Sequence, residues 1–167
     1  SNPPEAVDPG LIVADALEIL GSEIRRLRVA VQIDLAPDLP RVWGDPVQLQ
    51  QVLVNLIQNS LQSLDRSQVP SPSLVVSTQR CGRHDVEFAV CDNGSGIPPD
   101  RLERVFDTYF STRAGGMGMG SAICRTIVAA HQGCLTVESE PGARTTFRFQ
   151  LPADVTDHER TDRLHRR

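Results

Sequence analysis

Between residues 92 and 120 the chain passes through a segment that neither a helix nor a strand accommodates easily. It holds six of the twelve glycines of the 167-residue chain, together with the pair Pro98-Pro99. Glycine and proline interrupt regular structure, so this stretch predicts a long irregular loop with one short helix near 99–106. Loops of this length inside a compact domain are usually functional or disordered.

The regular elements on either side of the loop follow from the spacing of apolar residues. Steps of three and four predict helices, and alternation with polar residues predicts strands. Asp45-Pro46 marks a helix start, with Asp as N-cap and Pro at the first helical position. The predicted helices span 11–27, 45–64 and 119–131, and the predicted strands span 29–35, 74–80, 85–91, 134–139 and 145–151. Three main helices and five strands predict an α/β two-layer sandwich.

The two ends of the chain differ in composition from the rest. Residues 1–10 contain three prolines and are expected to be a linker or tag remnant. Residues 153–167 are a charged tail that is expected to fray. One domain over 11–152 remains, and this length is sufficient for a real hydrophobic core.

The charged and sulfur-containing residues narrow the possible functions. All 17 basic residues are arginine, which excludes a Walker A loop, a protein-kinase fold and Schiff-base chemistry, because each needs a lysine. A net charge of −4 gives no bulk attraction to nucleic acid. The chain has no membrane-length apolar run, no signal-peptide pattern and no CxxC pair among its four cysteines. We expect a cytoplasmic domain with reduced thiols and no zinc site.

The helix that begins at Asp45 carries a polar face made of amides instead of charges. Its members recur at steps of three and four residues: Gln48, Gln51, Asn55, Asn59 and Gln62. This face is either simply solvated or functional, but surface helices normally use charged residues there, and asparagine is a poor helix former. Asn55 and Asn59 lie one turn apart and point the same way. Because amide oxygens suit Mg²⁺, this face is a candidate metal site.

A turn motif, Asp92-Asn93-Gly94-Ser95-Gly96, follows the predicted strand 85–91 directly. It is either an ordinary tight turn or part of a binding pocket. In a pocket, Asp92 at the strand end would accept a hydrogen bond from a donor such as an exocyclic amine. Gly94 and Gly96 would let a flat ring approach the backbone with no Cβ in the way.

A second glycine cluster precedes the predicted helix 119–131. Gly116, Gly118 and Gly120 form either a flexible hinge or an anion site, since the unpaired N–H groups of a helix start attract phosphate. Without lysine, phosphate charge would have to be met by backbone N–H groups, Mg²⁺ and arginine. Arg113 is the nearest arginine, unless it is an ordinary exposed side chain.

Four motifs in this order resemble the ATP-binding catalytic domain of sensor histidine kinases, within the gyrase/histidine-kinase/MutL (Bergerat) superfamily. The motifs are residues 48–60 for the N box, 92–98 for the first glycine box, 105–112 for the F box and 116–120 for the second glycine box. The resemblance extends over nearly all of the chain from Leu11 to Pro152. It implies a mixed five-stranded sheet covered on one face by about three helices, with ATP and Mg²⁺ as ligands.

The resemblance also implies roles for single residues. Asn59 would bind Mg²⁺ and Asn55 would line the phosphate side, as the two catalytic residues. Asp92 would accept a hydrogen bond from the adenine amino group. The other implied nucleotide-binding residues are Gly94 and Gly96 at the adenine pocket, Thr145 beside adenine, and Arg113, Gly116, Gly118 and Gly120 at the phosphates. Phe106 and Phe110 would anchor a lid.

The family transfers the γ-phosphoryl group of ATP to a histidine on a preceding dimerisation domain. The four histidines here, His84, His131, His158 and His165, are interpreted as structural or surface residues, so the acceptor domain is expected to be absent from this chain. The implied partners are the histidine-containing dimerisation domain of a parent kinase and, indirectly, a response regulator. Such parent kinases include membrane-anchored proteins, but no membrane segment is expected in this chain. No nucleic acid partner is expected.

Three other functions stay open. A Bergerat ATPase of the gyrase or MutL type would carry a catalytic Glu at the position of Asn55, and an amide cannot take a proton from water. An anti-sigma-type serine kinase has a similar length, and identification of the partner would distinguish it from a histidine kinase. A binding module without enzymatic activity is disfavoured by the intact Asp92, Asn59 and glycines.

Overall fold

In a computed structural model the chain is described over residues 2–106 and 119–154, with side chains for all of these except 119–121. The elements in chain order are β1 (Glu5–Val7), α1 (Pro9–Ile19), α2 (Gly21–Arg26), β2 (Ala30–Leu35), β3 (Val42–Gly44), α3 (Pro46–Ser67), β4 (Ser73–Cys81), β5 (Asp85–Asp92), α4 (Pro99–Leu102), α5 (Met119–Ala130), β6 (Cys134–Glu140) and β7 (Arg144–Pro152). The charged tail beyond Asp154 lies outside the described residues. No helix in the described part of the chain combines the length and hydropathy needed to cross a membrane.

Five strands form one mixed sheet in the order β2-β4-β5-β7-β6. β2 runs parallel to β4, and the other neighbouring strands are antiparallel. The helices α1, α3 and α5 pack on one face of this sheet. Between the layers the buried rings of Phe88 and Phe149 stack with their centroids 4.6 Å apart. The expected two-layer sandwich, with a mixed five-stranded sheet and helices on one face, is confirmed.

The first helical region differs from the single helix expected over 11–27. Helix α1 begins earlier, at Pro9, because the Asp8 carboxylate caps it by accepting a hydrogen bond from Gly10 N at 2.8 Å. The helix is interrupted at Leu20, and α2 restarts at Gly21. Glycine inside a helix is about 1 kcal/mol less favourable than alanine, so Gly21 is a natural point for the interruption.

Residues 5–10, which we expected to belong to a linker, hold regular structure. Glu5–Val7 pairs antiparallel with Val42–Gly44 in a small second sheet. The side chain of Val7 is buried in the core, and Pro9 opens α1. A three-residue strand is too short to show alternation, which is why neither β1 nor β3 was expected from the sequence.

His131 joins the end of α5 to the start of α3. Its Nε2 accepts a hydrogen bond from Asp45 N at 3.2 Å, and its Nδ1–H donates to Ile127 O at 2.8 Å. A Cβ on Gly44 would lie 2.5 Å from the imidazole Cδ2, so a glycine is needed for the ring to approach this closely. The interpretation of His131 as a structural residue agrees with these contacts.

We expect His131→Ala to lower the free energy of unfolding by about 1–3 kcal/mol, since Asp45 N loses its acceptor. Urea denaturation measures this change. Arg125→Ala is the control, because Arg125 is an exposed side chain on the same helix, and its loss should change the stability by no more than about 0.5 kcal/mol. Equal stability of the two variants would contradict the role given to the imidazole.

Candidate functional site

Helix α3 carries the amide face across the sheet. Asp45 caps the helix, with its Oδ1 accepting from Val47 N at 2.9 Å and from Gln48 N at 3.3 Å. Along the face the exposure is uneven: Asn55 is half-buried, and Asn59 is only 6% exposed. Simple solvation therefore does not account for Asn59, because solvated amides lie in water and this one is enclosed.

Asp92 ends β5, the central strand of the sheet, and its side chain points toward the helices. It is 2% exposed, and its Oδ1 accepts a hydrogen bond from Gly94 N at 2.9 Å. Burial raises the pKa of Asp92, while the Gly94 N–H and the nearby Ser60 hydroxyl act against the rise. A carboxylate placed here with spare acceptor capacity is suited to a ligand that brings a hydrogen-bond donor.

Hydrogen bonds hold the turn after Asp92 against α3 and the start of β4. Ser95 N donates to Ser67 Oγ at 3.0 Å, on the last turn of α3. The Asn93 amide bridges to the start of β4: its Oδ1 accepts from Ser73 N at 2.8 Å, and its Nδ2 donates to Ser71 O at 2.9 Å. These bonds fix the turn to two neighbouring elements.

On its other side, the same turn is hydrogen-bonded to the β6–β7 hairpin. Ser139 Oγ accepts from Ile97 N at 2.6 Å, donates to Arg144 O at 3.1 Å, and lies 3.1 Å from Thr145 Oγ1. Thr145 is 1% exposed and stands directly opposite Asp92 in the β5–β7 register. Ser139 thus ties the glycine turn to the threonine that faces the aspartate.

Two glycines of the turn are required by close approaches. A Cβ on Gly94 would lie 2.7 Å from Ser63 Oγ and 2.9 Å from Asp92 Oδ1. Gly96 has φ +77°, and its Cβ would lie 2.6 Å from Glu140 O. The absence of side chains at these positions lets the turn settle between α3 and the hairpin.

Helix α5 packs beside the amide face of α3. The buried Cys124 thiol donates to Val52 O at 3.7 Å, and it also lies against the Asn55 side chain. Burial raises the pKa of Cys124 to about 11, with the hydrogen bond to Asn55 opposing this rise. Gly120, the second residue of α5, lies about one turn before Cys124, so it is carried toward the same side of α3.

Part of the predicted site lies outside the described residues. This holds for Arg113, Gly116 and Gly118, and for the F box beyond its first two residues. Phe106 is described, and its ring packs edge-on against Phe147 with the centroids 6.3 Å apart, in line with its expected packing role. All four cysteines are free, and no group of three or more His, Cys, Asp or Glu suited to a metal ion occurs among the residues described.

The structure also contains polar site residues that the sequence did not point to. They are the hydroxyls of Ser60, Ser63, Ser67 and Ser139, grouped around the carboxylate and its turn. Ser60 and Ser63 interrupt the buried side of α3, between Leu56 and Leu64. Small polar residues on an otherwise apolar helix face were the available signal.

The central strand of a mixed sheet ends in a buried aspartate, and an amide-bearing helix packs on the sheet beside it. This arrangement is that of a Bergerat-type ATP-binding domain. The family described as histidine kinase-, DNA gyrase B- and HSP90-like ATPase matches residues 44–155. The chain belongs to this family.

The curated relatives include sensor histidine kinases. The sensor histidine kinase ZraS of Klebsiella oxytoca is 32% identical over 150 residues, which cover 90% of this chain and 32% of the relative. The sensor protein FixL of Bradyrhizobium diazoefficiens is 39% identical over 140 residues, covering 84% of this chain and 27% of the relative. The chain therefore spans about a third of the length of these proteins.

Solved structures show the same fold. The catalytic domain of the histidine kinase ThkA superposes with a TM-score of 0.78 at 22% identity, covering 91% of this chain and 99% of that one. The mycobacterial sensor histidine kinase MprB gives a TM-score of 0.74 at 26% identity, covering 89% and 97%. This chain thus corresponds in extent to the catalytic domain of such kinases.

Proposed function

We propose that this domain binds Mg-ATP and transfers the γ-phosphoryl group to a histidine on a separate dimerisation domain. The observation that carries the proposal is the buried Asp92 carboxylate, which has acceptor capacity to spare and is held at the end of the central strand. Relatives named as sensor histidine kinases support it, and they favour the histidine over serine as acceptor.

At the adenine end, Asp92 accepts from the exocyclic amino group of the base. Thr145, opposite Asp92 on β7, supports the same edge of the ring. Gly94 and Gly96 place the turn against α3 and the hairpin, which leaves the carboxylate facing the ligand. A hydrogen bond from the amino group offsets part of the free energy lost when the carboxylate is buried.

At the phosphate end, Asn59 supplies an amide oxygen to Mg²⁺, and Asn55 lines the phosphates. Mg²⁺ keeps several waters and takes most remaining ligands from the phosphates, so one protein oxygen is sufficient. Gly116, Gly118 and Gly120 provide backbone N–H groups, and Arg113 provides the positive charge that no lysine can supply. When bound, the metal neutralises charge on the transferring phosphoryl group.

The residues around Asn55 favour transfer over hydrolysis. Attack by water needs a group that removes a proton, and an amide does not do this. The neighbouring Cys124 thiol, with its pKa raised to about 11, stays protonated at neutral pH and does not replace a base. A histidine on a partner is a better nucleophile than water, so the site needs positioning and charge neutralisation more than a base.

The proposed activity implies the type of parent protein and its partners. The parent protein would be a two-component sensor kinase, with the dimerisation domain as direct partner and a response regulator as indirect partner. Free cysteines fit a reducing compartment, so we place the domain in the cytoplasm. An anti-sigma-type serine kinase and an ATPase of the same family are the alternatives that the experiment below separates.

The experiment mixes the domain with Mg-[γ-³²P]ATP and separately supplied histidine-containing dimerisation domains. We expect slow hydrolysis by the domain alone, no stable self-labelling, and acid-labile label on a cognate acceptor. An acceptor with its histidine changed to alanine is the control and should stay unlabelled. Acid-stable label on serine would favour the anti-sigma alternative.

A further inference from the structure

Ser60 holds a hydroxyl that the folded chain does not use. Its side chain, in the middle of α3, is fully buried, yet Oγ has no hydrogen-bond partner among the described residues. Serine in a helix commonly donates to the carbonyl four residues earlier, and this hydroxyl does not. An unsatisfied buried polar group destabilises a fold, so its presence calls for a reason.

The position of the Ser60 hydroxyl supplies this reason. Ser60 lies beside the Asp92 carboxylate, close enough to favour its charged form, but outside hydrogen-bonding geometry. The carboxylate itself accepts from Gly94 N. A hydroxyl with an unused donor and a carboxylate with unused acceptor capacity therefore stand side by side at the end of β5.

Adenine offers the complement of this pair. Its edge carries a donor, the N6 amino group, next to an acceptor, the ring nitrogen N1. A carboxylate accepts from the amino group but has no proton for N1, whereas a hydroxyl has one. Guanine presents the reverse order, an acceptor oxygen followed by N1–H, which would place its oxygen against the carboxylate.

We propose that Ser60 is a specificity-determining residue that donates its hydroxyl proton to N1 of adenine, directly or through one water, beside the Asp92–amino group bond. This inference rests on the proposed function and adds a second, separately testable contact to it. The hydroxyl that is unsatisfied in the ligand-free fold gains its partner when the base binds.

A nucleotide that lacks N1 provides the test. We would measure the binding of ADP and of 1-deaza-ADP, in which a C–H group replaces N1, by calorimetry. The wild-type domain should bind ADP about 3- to 10-fold more tightly, the effect of one neutral hydrogen bond. Ser60→Ala should bind both nucleotides equally, at the affinity that the wild type shows for 1-deaza-ADP.

Thr78→Val is the matched control. Thr78 carries the other buried hydroxyl without a partner in the described part of the chain, and it also faces the core. Thr78 lies on β4 opposite Phe88. The β4 residue opposite Asp92 is Leu74, which is four residues, or about 13 Å, along the strand from Thr78. Loss of the Thr78 hydroxyl should leave the preference for ADP over 1-deaza-ADP at the wild-type value.

The outcomes separate this inference from the proposed function. Tight ADP binding with an undiminished preference for N1 in Ser60→Ala would overturn the inference alone, as would a wild type that binds both nucleotides equally. Absence of ADP binding by the folded wild-type domain would overturn the proposed function and the inference with it. Thermal unfolding of each variant checks that the protein remains folded.

Discussion

Replacing Asp92 with alanine should weaken ADP binding about 10- to 150-fold when affinity is measured by calorimetry. A hydrogen bond involving a charged group contributes about 1.5–3 kcal/mol, which corresponds to this range. Asp85→Ala is the control, because Asp85 is the same residue type at the opposite end of β5. Equal affinity of wild type and Asp92→Ala would remove the adenine assignment.

The same carboxylate should reduce the stability of the ligand-free domain. Burial raises the pKa of Asp92, so between its unfolded and folded pKa values the folded state binds more protons. Stability contributed by this group therefore falls as the pH rises through that window. We expect Asp92→Asn to resist urea better than the wild type at neutral pH, and this advantage to disappear in acid. A variant that is less stable at neutral pH would contradict this sign.

Replacing Asn59 with alanine should reduce labelling of an added acceptor domain by on the order of 100-fold, because the proposed Mg²⁺ ligand is removed and phosphoryl transfer depends on charge neutralisation. Scintillation counting of the acceptor at early times measures the rate. Gln58→Ala is the control, since Gln58 is an exposed amide on the same helix and should label at the wild-type rate.

Replacement of Asn55 tests the role of the same helix through the rate of ATP hydrolysis. If the isolated domain hydrolysed ATP at gyrase-like rates, and Asn55→Ala left those rates unchanged, the interpretation of this helix as that of a kinase would be wrong. Hydrolysis is followed as released phosphate, in the absence of any acceptor domain.

The sequence predicted the fold well where elements are long enough to show a period. Helix α3 and the five strands of the main sheet all lie close to their expected ranges. The failures are local. The first helix is interrupted at Leu20, just before Gly21, although its apolar spacing continues, and β1 exists only because Val42–Gly44 offers it a partner from a distant part of the chain. Pairing of that kind leaves no pattern in three residues.

The sequence indicates candidate site residues where a residue type is itself unusual. Asparagine in the middle of a helix, and aspartate followed by glycines, are unusual because neither suits the interior of a regular helix or strand. The serines are not unusual, because a serine hydroxyl is small enough to be either buried or exposed, and only its neighbours decide its function. Ser139 is an example: its three contacts come from the turn and from β7, which no local spacing relates.

The bonds that hold the turn after Asp92 on both sides have a thermodynamic consequence. Fixing the backbone of a residue costs about 1–2 kcal/mol of conformational entropy, and here that loss is incurred when the chain folds. Ser95 and Ile97 already donate their N–H groups to Ser67 and Ser139 before any base arrives. A ligand that binds against this turn therefore does not lose affinity through the ordering of the turn itself.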